Sequence, residues 1–144
     1  MVQMLKKLFG LAKKDNNEAV RKTIITVEDN DVDIKLIKRI LERKYNVITA
    51  ENGEVGLKMI REHKPDLVVL DCAMPVMTGN EMCKIMKQDE ALRSIPVLFL
   101  TGINTPQNIL ECFELDAENH LSKPINPKIL LAQVDAILLG HETN

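Results

Sequence analysis

Apolar and polar positions along the chain follow two alternating rhythms. Short apolar runs such as "TIITV", "NVITA", "LVVL" and "VLFL" recur, and between them apolar residues return every three or four positions. The runs read as strands and the spaced patterns as amphipathic helices. Strands are expected at 23–28, 46–50, 66–71, 95–102 and 119–123, each followed by a helix, over 31–44, 51–64, 79–92, 105–117 and 126–140. In the first helix Val32, Leu36, Ile37, Ile40 and Leu41 form the inward stripe and Asp31 is the expected N-cap, while Ile34 falls off the stripe as a candidate surface contact. The second helix buries Val55, Met59 and Ile60 and stops at Pro65; the third buries Met82, Ile85 and Met86. The fourth and fifth open on Thr105-Pro106 and Asn126-Pro127, a cap followed by proline at the first helical position, and the fifth is expected to end at Gly140.

Strands joined by helical crossovers imply an α/β fold: a doubly wound, five-stranded parallel sheet with helices on both faces. In such sheets ligands lie beyond the carboxyl ends of the strands, at the topological switch point. What the strands present there is therefore the candidate chemistry. The first offers Glu28 and Asp29, the third Asp71, the fourth Thr101 and the fifth Lys123. A single aspartate after a strand is commonly a turn or cap residue, an acidic pair commonly opens a helix, and Thr101 and Lys123 each have ordinary structural readings. The joint placement is what carries weight. Carboxylates gathered in one crevice repel one another, and a hard divalent cation with several waters removes that penalty, which suits Mg2+ or Mn2+. A carboxylate, a hard metal, a lysine and a hydroxyl together make a phosphoryl-transfer site, with Asp71 as nucleophile.

The 144 residues suit one domain, and 45% apolar against 28% charged residues is an ordinary globular balance. Only 3% are aromatic, so the core must be built of Leu, Ile, Val and Met, and a base-stacking nucleic-acid surface is disfavoured. The net charge of −2 is unevenly spread: residues 1–22 carry six Lys/Arg against two acids, so the remainder is acidic. Met4, Leu5, Leu8, Phe9 and Leu11 share a helical face flanked by Lys6, Lys7, Lys13 and Lys14, so residues 1–14 are a candidate contact for a membrane surface or a partner groove. Cys72, Cys83 and Cys112 lack metal-ligand spacing and read as reduced thiols of a cytoplasmic protein. No apolar run reaches the ~20 residues of a membrane span.

The motifs "VEDN", "LVVLDCAMPVMTG", "VLFLTG" and "LSKPI", in this order and spacing, resemble the receiver domain of two-component response regulators over residues 23–139. The resemblance implies the flavodoxin-like (β/α)5 fold with strand order 2-1-3-4-5. It implies that Asp71 accepts a phosphoryl group from a sensor histidine kinase or histidine phosphotransfer protein. Mg2+ would be held by Glu28, Asp29, Asp71 and the backbone carbonyl of Ala73, Lys123 would bind the phosphoryl oxygens, and Thr101 would turn toward them. His120 stands where a switching aromatic is usual, and the Lys123-Pro124 bond is expected to be cis.

Residues 1–22 are then a basic extension and 140–144 a short tail. The expected output of such a stand-alone receiver is a surface change over 105–139, read by a downstream protein, or onward relay. No nucleic-acid contact is expected. The chemistry is self-phosphorylation and self-dephosphorylation rather than turnover. Ala73 and Ile103 stand where the family sets the phosphoryl lifetime, and neither can orient water by hydrogen bonding, so loss is expected to be slow to moderate. Asp116-Ala117 replaces the common Gly-Ala pair, and Gly56 replaces alanine, which weakens its helix by up to ~1 kcal/mol. The rival readings are a Mg2+-dependent phosphohydrolase with an aspartyl-phosphate intermediate, which would want an acid at Ala73, and a binding scaffold independent of phosphorylation. A nucleotide-binding module lacks its glycine-rich loop.

Overall fold

A computed structural model of the chain describes residues 20–74, 76–102 and 119–143. The elements are β1 (Thr23–Val27), α1 (Asp31–Leu41), β2 (Asn46–Ala50), α2 (Gly53–His63), β3 (Leu67–Asp71), α3 (Gly79–Gln88), β4 (Val97–Thr101), β5 (Asn119–Ser122) and α4 (Pro127–Thr143). The helix expected over 105–117 lies outside the described residues, as do Ile103, Cys112 and the basic stretch 1–14. The five strands form one parallel sheet in the order β2-β1-β3-β4-β5. From β1 the chain winds outward to β2, then returns to β3 and winds the other way. The switch point is the β1/β3 boundary.

Period-two alternation divides the sheet residues between two cores. Ile25, Val27, Val68, Leu70, Val97 and Phe99 pack under α2 and α3, against Leu57, Ile60, Met82 and Met86. Ile24, Leu67, Val69, Leu98 and Leu100 pack under α1 and α4, against Ile37, Leu41, Leu130 and Val134. Both faces of β3 and β4 are covered, and every residue of these two strands is buried. That is why their sequences are unbroken apolar runs rather than alternating ones.

The helix starts correct one expectation. Asn30, not Asp31, caps α1: its side chain accepts the Asp33 N–H at 2.9 Å. A cap must be extended, as Asn30 is, and Asp31 is already helical. The same device opens α2 at Asn52, α3 at Thr78 and α4 at Asn126. Gly140 does not end the last helix, which continues to Thr143; no described glycine has the positive φ of a left-handed cap. On α1, Val32 is 74% exposed instead of lying on the inward stripe, while Ile34 is half-buried. A first-turn residue projects beyond the end of the sheet, and none of the described residues covers it. Cys72 and Cys83 form no disulfide with each other; Cys83 is buried and Cys72 half-buried.

Gly56 has a packing role that helix propensity hides. A Cβ there would lie 2.8 Å from Val27 Cγ2, 3.1 Å from Val27 Cγ1 and 3.3 Å from Met82 Sδ. The missing methyl is what lets α2 lie close against β1. Overpacking costs about 1–3 kcal/mol, against up to ~1 kcal/mol returned by helix propensity. Gly56→Ala therefore lowers the midpoint of thermal unfolding, measured by circular dichroism. A raised midpoint would show that α2 can retreat from Val27 without loss.

Candidate functional site

The strand register brings the polar residues to one edge. Val27 pairs with Ala50 and Leu70, Asp71 with Leu100, and Thr101 with Ser122. Sheet hydrogen bonds continue past the strand ends: Glu28 N–H donates to the Ala50 carbonyl (3.0 Å), Cys72 N–H to that of Leu100 (3.0 Å) and Lys123 N–H to that of Thr101 (2.8 Å). Glu28, Asp71 and Lys123 are thus held by backbone already committed to the sheet. The Lys123-Pro124 peptide is cis.

The side chains converge. Lys123 Nζ sits astride the Glu28 carboxylate, 3.0 Å from Oε1 and 2.9 Å from Oε2. It is 3.1 Å from Asp33 Oδ2 and 3.6 Å from Asp71 Oδ2. Glu28 Oε1 also accepts the Asn30 N–H at 3.2 Å, and Asp71 Oδ1 accepts the Ala73 N–H at 3.2 Å. Glu28 is fully buried, Asp71 nearly so, and Asp29 is exposed. One oxygen from each of these three acids lies within 4.8 Å of the others. Glu28 Oε2 is buried with no hydrogen bond, its charge met only by the ion pair with Lys123. A set of carboxylate oxygens with an under-satisfied member fits a hard, oxygen-seeking cation, and the exposed Asp29 leaves room for water on it.

Thr101 lies at the end of β4, 3% exposed, with its hydroxyl aimed at the Leu121 carbonyl across a long 3.5 Å. His120 lies on β5 opposite Phe99 and is half-buried. Ala73 is exposed on the loop after β3. Gly79, at the start of α3, closes that loop: its N–H donates to the Cys72 carbonyl at 3.0 Å, and a Cβ on it would lie 2.2 Å from the Asp71 carbonyl oxygen. Only glycine lets α3 begin against the backbone of Asp71. Val76 in the same loop has φ 72, a left-handed conformation that is strained for a β-branched residue.

Reading strand ends alone missed Asp33. It belongs to the first turn of α1 rather than to a strand end, and nothing in the local sequence marks it.

Burial and the neighbouring Asp71 charge push the Glu28 carboxyl up from its ordinary 4.5 to about 7, although Lys123 pulls the other way. Burial also raises Asp71, against hydrogen bonding and the Lys123 charge. Burial alone would lower Lys123, but hydrogen bonds to Glu28 and Asp33 and the field of Asp71 hold its ammonium well above the ordinary lysine range. Among the described residues, the carboxylates of Glu28, Asp29, Asp33 and Asp71 gather around the one ammonium of Lys123.

The profile of the response regulator receiver domain family matches residues 24–135. The polar-differentiation response regulator DivK of Brucella anthropi is 35% identical over 106 residues, which are 73% of this chain and 86% of that protein. The alkaline phosphatase synthesis transcriptional regulatory protein PhoP of Bacillus subtilis is 38% identical over 124 residues, 85% of this chain. The chain spans 51% of PhoP, and 9% of a histidine kinase of Formosa agariphila to which it is 36% identical. Among solved structures, a CheY-like receiver domain protein of Methanospirillum hungatei superposes with a TM-score of 0.80 at 27% identity, covering 85% of this chain and 98% of that one. A BeF3-activated DrrB receiver domain superposes with a TM-score of 0.75 at 31% identity, covering 82% and 97%. The chain belongs to the response regulator receiver family, and it is a signalling domain that takes phosphoryl groups.

The raised Glu28 value fixes the sign of a pH effect. Between pH 4.5 and about 7 the folded chain holds a proton on Glu28 that the unfolded chain has released. Stability therefore falls as pH rises through that window. In the presence of a chelator, the wild type is expected to lose stability relative to Glu28→Gln from pH 4.5 to 7.5, read by urea unfolding. The opposite slope would mean that Glu28 is ionised throughout.

Proposed function

We propose that Asp71 is the phosphoryl acceptor of a Mg2+-dependent transfer from the phosphohistidine of a sensor kinase or phosphotransfer protein. The carrying observation is the meeting of Glu28, Asp29, Asp71 and Lys123 at the β1/β3 switch point. Glu28, Asp29, Asp71 and the Ala73 carbonyl would hold the cation, which supplies positive charge against the phosphoryl oxygens. An Asp71 carboxylate oxygen attacks phosphorus in line, the new O–P bond forms, and the N–P bond to the imidazole breaks. Lys123 moves onto the phosphoryl oxygens as their charge arrives at the acceptor. Thr101 donates its hydroxyl to the same group, and its long contact with Leu121 is readily given up. That turn, with His120 beside it on β5, carries the signal to the surface.

The exposed methyl of Ala73 cannot orient a hydrolytic water, which supports slow to moderate self-dephosphorylation. It also disfavours a phosphohydrolase, which would need an acid at that position. Residues 23–139 form the receiver unit, with 1–22 as a basic extension offering a membrane-surface or partner contact; residues 140–143, expected as a tail, continue α4. No described helix is long and apolar enough to cross a membrane. Phosphorylation by a kinase of this class points to work in the cytoplasm, with output to a downstream protein rather than nucleic acid.

Incubation with acetyl phosphate and Mg2+, followed by intact-mass analysis, is expected to give a single alkali-labile phosphoryl adduct. The adduct should disappear with chelator and in Asp71→Asn. An adduct that persists in Asp71→Asn would move the acceptor elsewhere.

A further inference from the structure

Lys123 is bound more closely by its neighbours than by the acceptor. Its Nζ lies 2.9 and 3.0 Å from Glu28 and 3.1 Å from Asp33, but 3.6 Å from Asp71. An ammonium has three N–H donors. Glu28 and Asp33 hold the ammonium at hydrogen-bond distance and Asp71 lies just outside it, so Lys123 moves onto a phosphoryl group at Asp71 only as one of the nearer carboxylates gives way.

The burial of the three acids decides which one yields. Glu28 is fully buried, and leaving a buried carboxylate without its cation is strongly unfavourable. Asp71 carries the incoming group. The Asp33 side chain is 24% exposed and sits in the first turn of α1, where water and the helix N-terminus can receive its charge. Its backbone N–H, not its carboxylate, serves the Asn30 cap, so the side chain is free for a separate task. We propose that Asp33 is a positioning residue for Lys123: it parks the ammonium against α1 until an arriving phosphoryl group draws it across to Asp71. This rests on Asp71 being the acceptor. It also ties phosphorylation to α1, because each transfer releases the Asp33 carboxylate.

The test compares phosphorylation rates of the full chain over a range of acetyl phosphate concentrations with Mg2+, for wild type, Asp33→Asn, Asp33→Glu and Asp31→Asn. Asp31 is exposed on the same helical turn and pairs with no part of Lys123, so its substitution removes the same charge without freeing the lysine. Asp33→Asn is expected to lower the half-saturating donor concentration by about three- to tenfold, the worth of one partly screened ion pair, with the saturating rate little changed. Asp33→Glu should restore wild-type behaviour, and Asp31→Asn should leave half-saturation within about twofold of wild type. An unchanged half-saturation in Asp33→Asn, or an equal fall in Asp31→Asn, overturns the proposal while the acceptor assignment stands. Absence of an adduct from the wild type itself overturns the acceptor assignment and this proposal together.

Discussion

A lysine ammonium surrounded by carboxylates at the seam of a parallel sheet is the constraint on which the site depends. Glu28 is fully inaccessible to water, and a carboxylate there without a cation would take up a proton. Lys123 meets it at 2.9 Å and is itself pinned to β4 through its backbone. Glu28 in particular depends on Lys123, since no other cation among the described residues meets its buried carboxylate. Because one follows β1 and the other follows β5, their pairing spans the β3 and β4 ends that lie between them. Asp71 at the end of β3 thereby lies in a field set by both strands.

One cation does not balance the acids gathered there. Among the described residues Glu28, Asp29, Asp33 and Asp71 stand against Lys123 alone, and burial above all raises the carboxyls of Glu28 and Asp71. The deficit has a chemical use. A site that accepts a phosphoryl group must tolerate extra negative charge when it arrives, and under the proposed function a divalent cation and the movement of Lys123 would offset it. Strain is placed nearby as well: Gly79 admits α3 against the Asp71 carbonyl, and Val76 holds a left-handed turn in the same loop.

The rhythm of apolar runs was enough to identify every described strand, the described helices and the doubly wound plan, because burial on both faces leaves β3 and β4 apolar up to their last residues, Asp71 and Thr101. It also placed Glu28, Asp29, Asp71, Thr101 and Lys123 at one edge, since parallel strands present their carboxyl ends together. The sequence could not distinguish Asn30 from Asp31 as the cap of α1, for both side chains can accept the same hydrogen bonds and only the backbone angles differ. It read Gly56 as a weak point in a helix, whereas the distance to Val27 makes it a contact between α2 and the sheet. Asp33 escaped for a similar reason: its partner lies ninety residues away, and nothing local in "DVDIK" marks it. Local pattern determines elements and chemical types, because propensity and period act over a few residues. Tertiary structure alone decided which carboxylates share Lys123, because that depends on distances between strand ends and a helix turn that meet only once the sheet has closed around them.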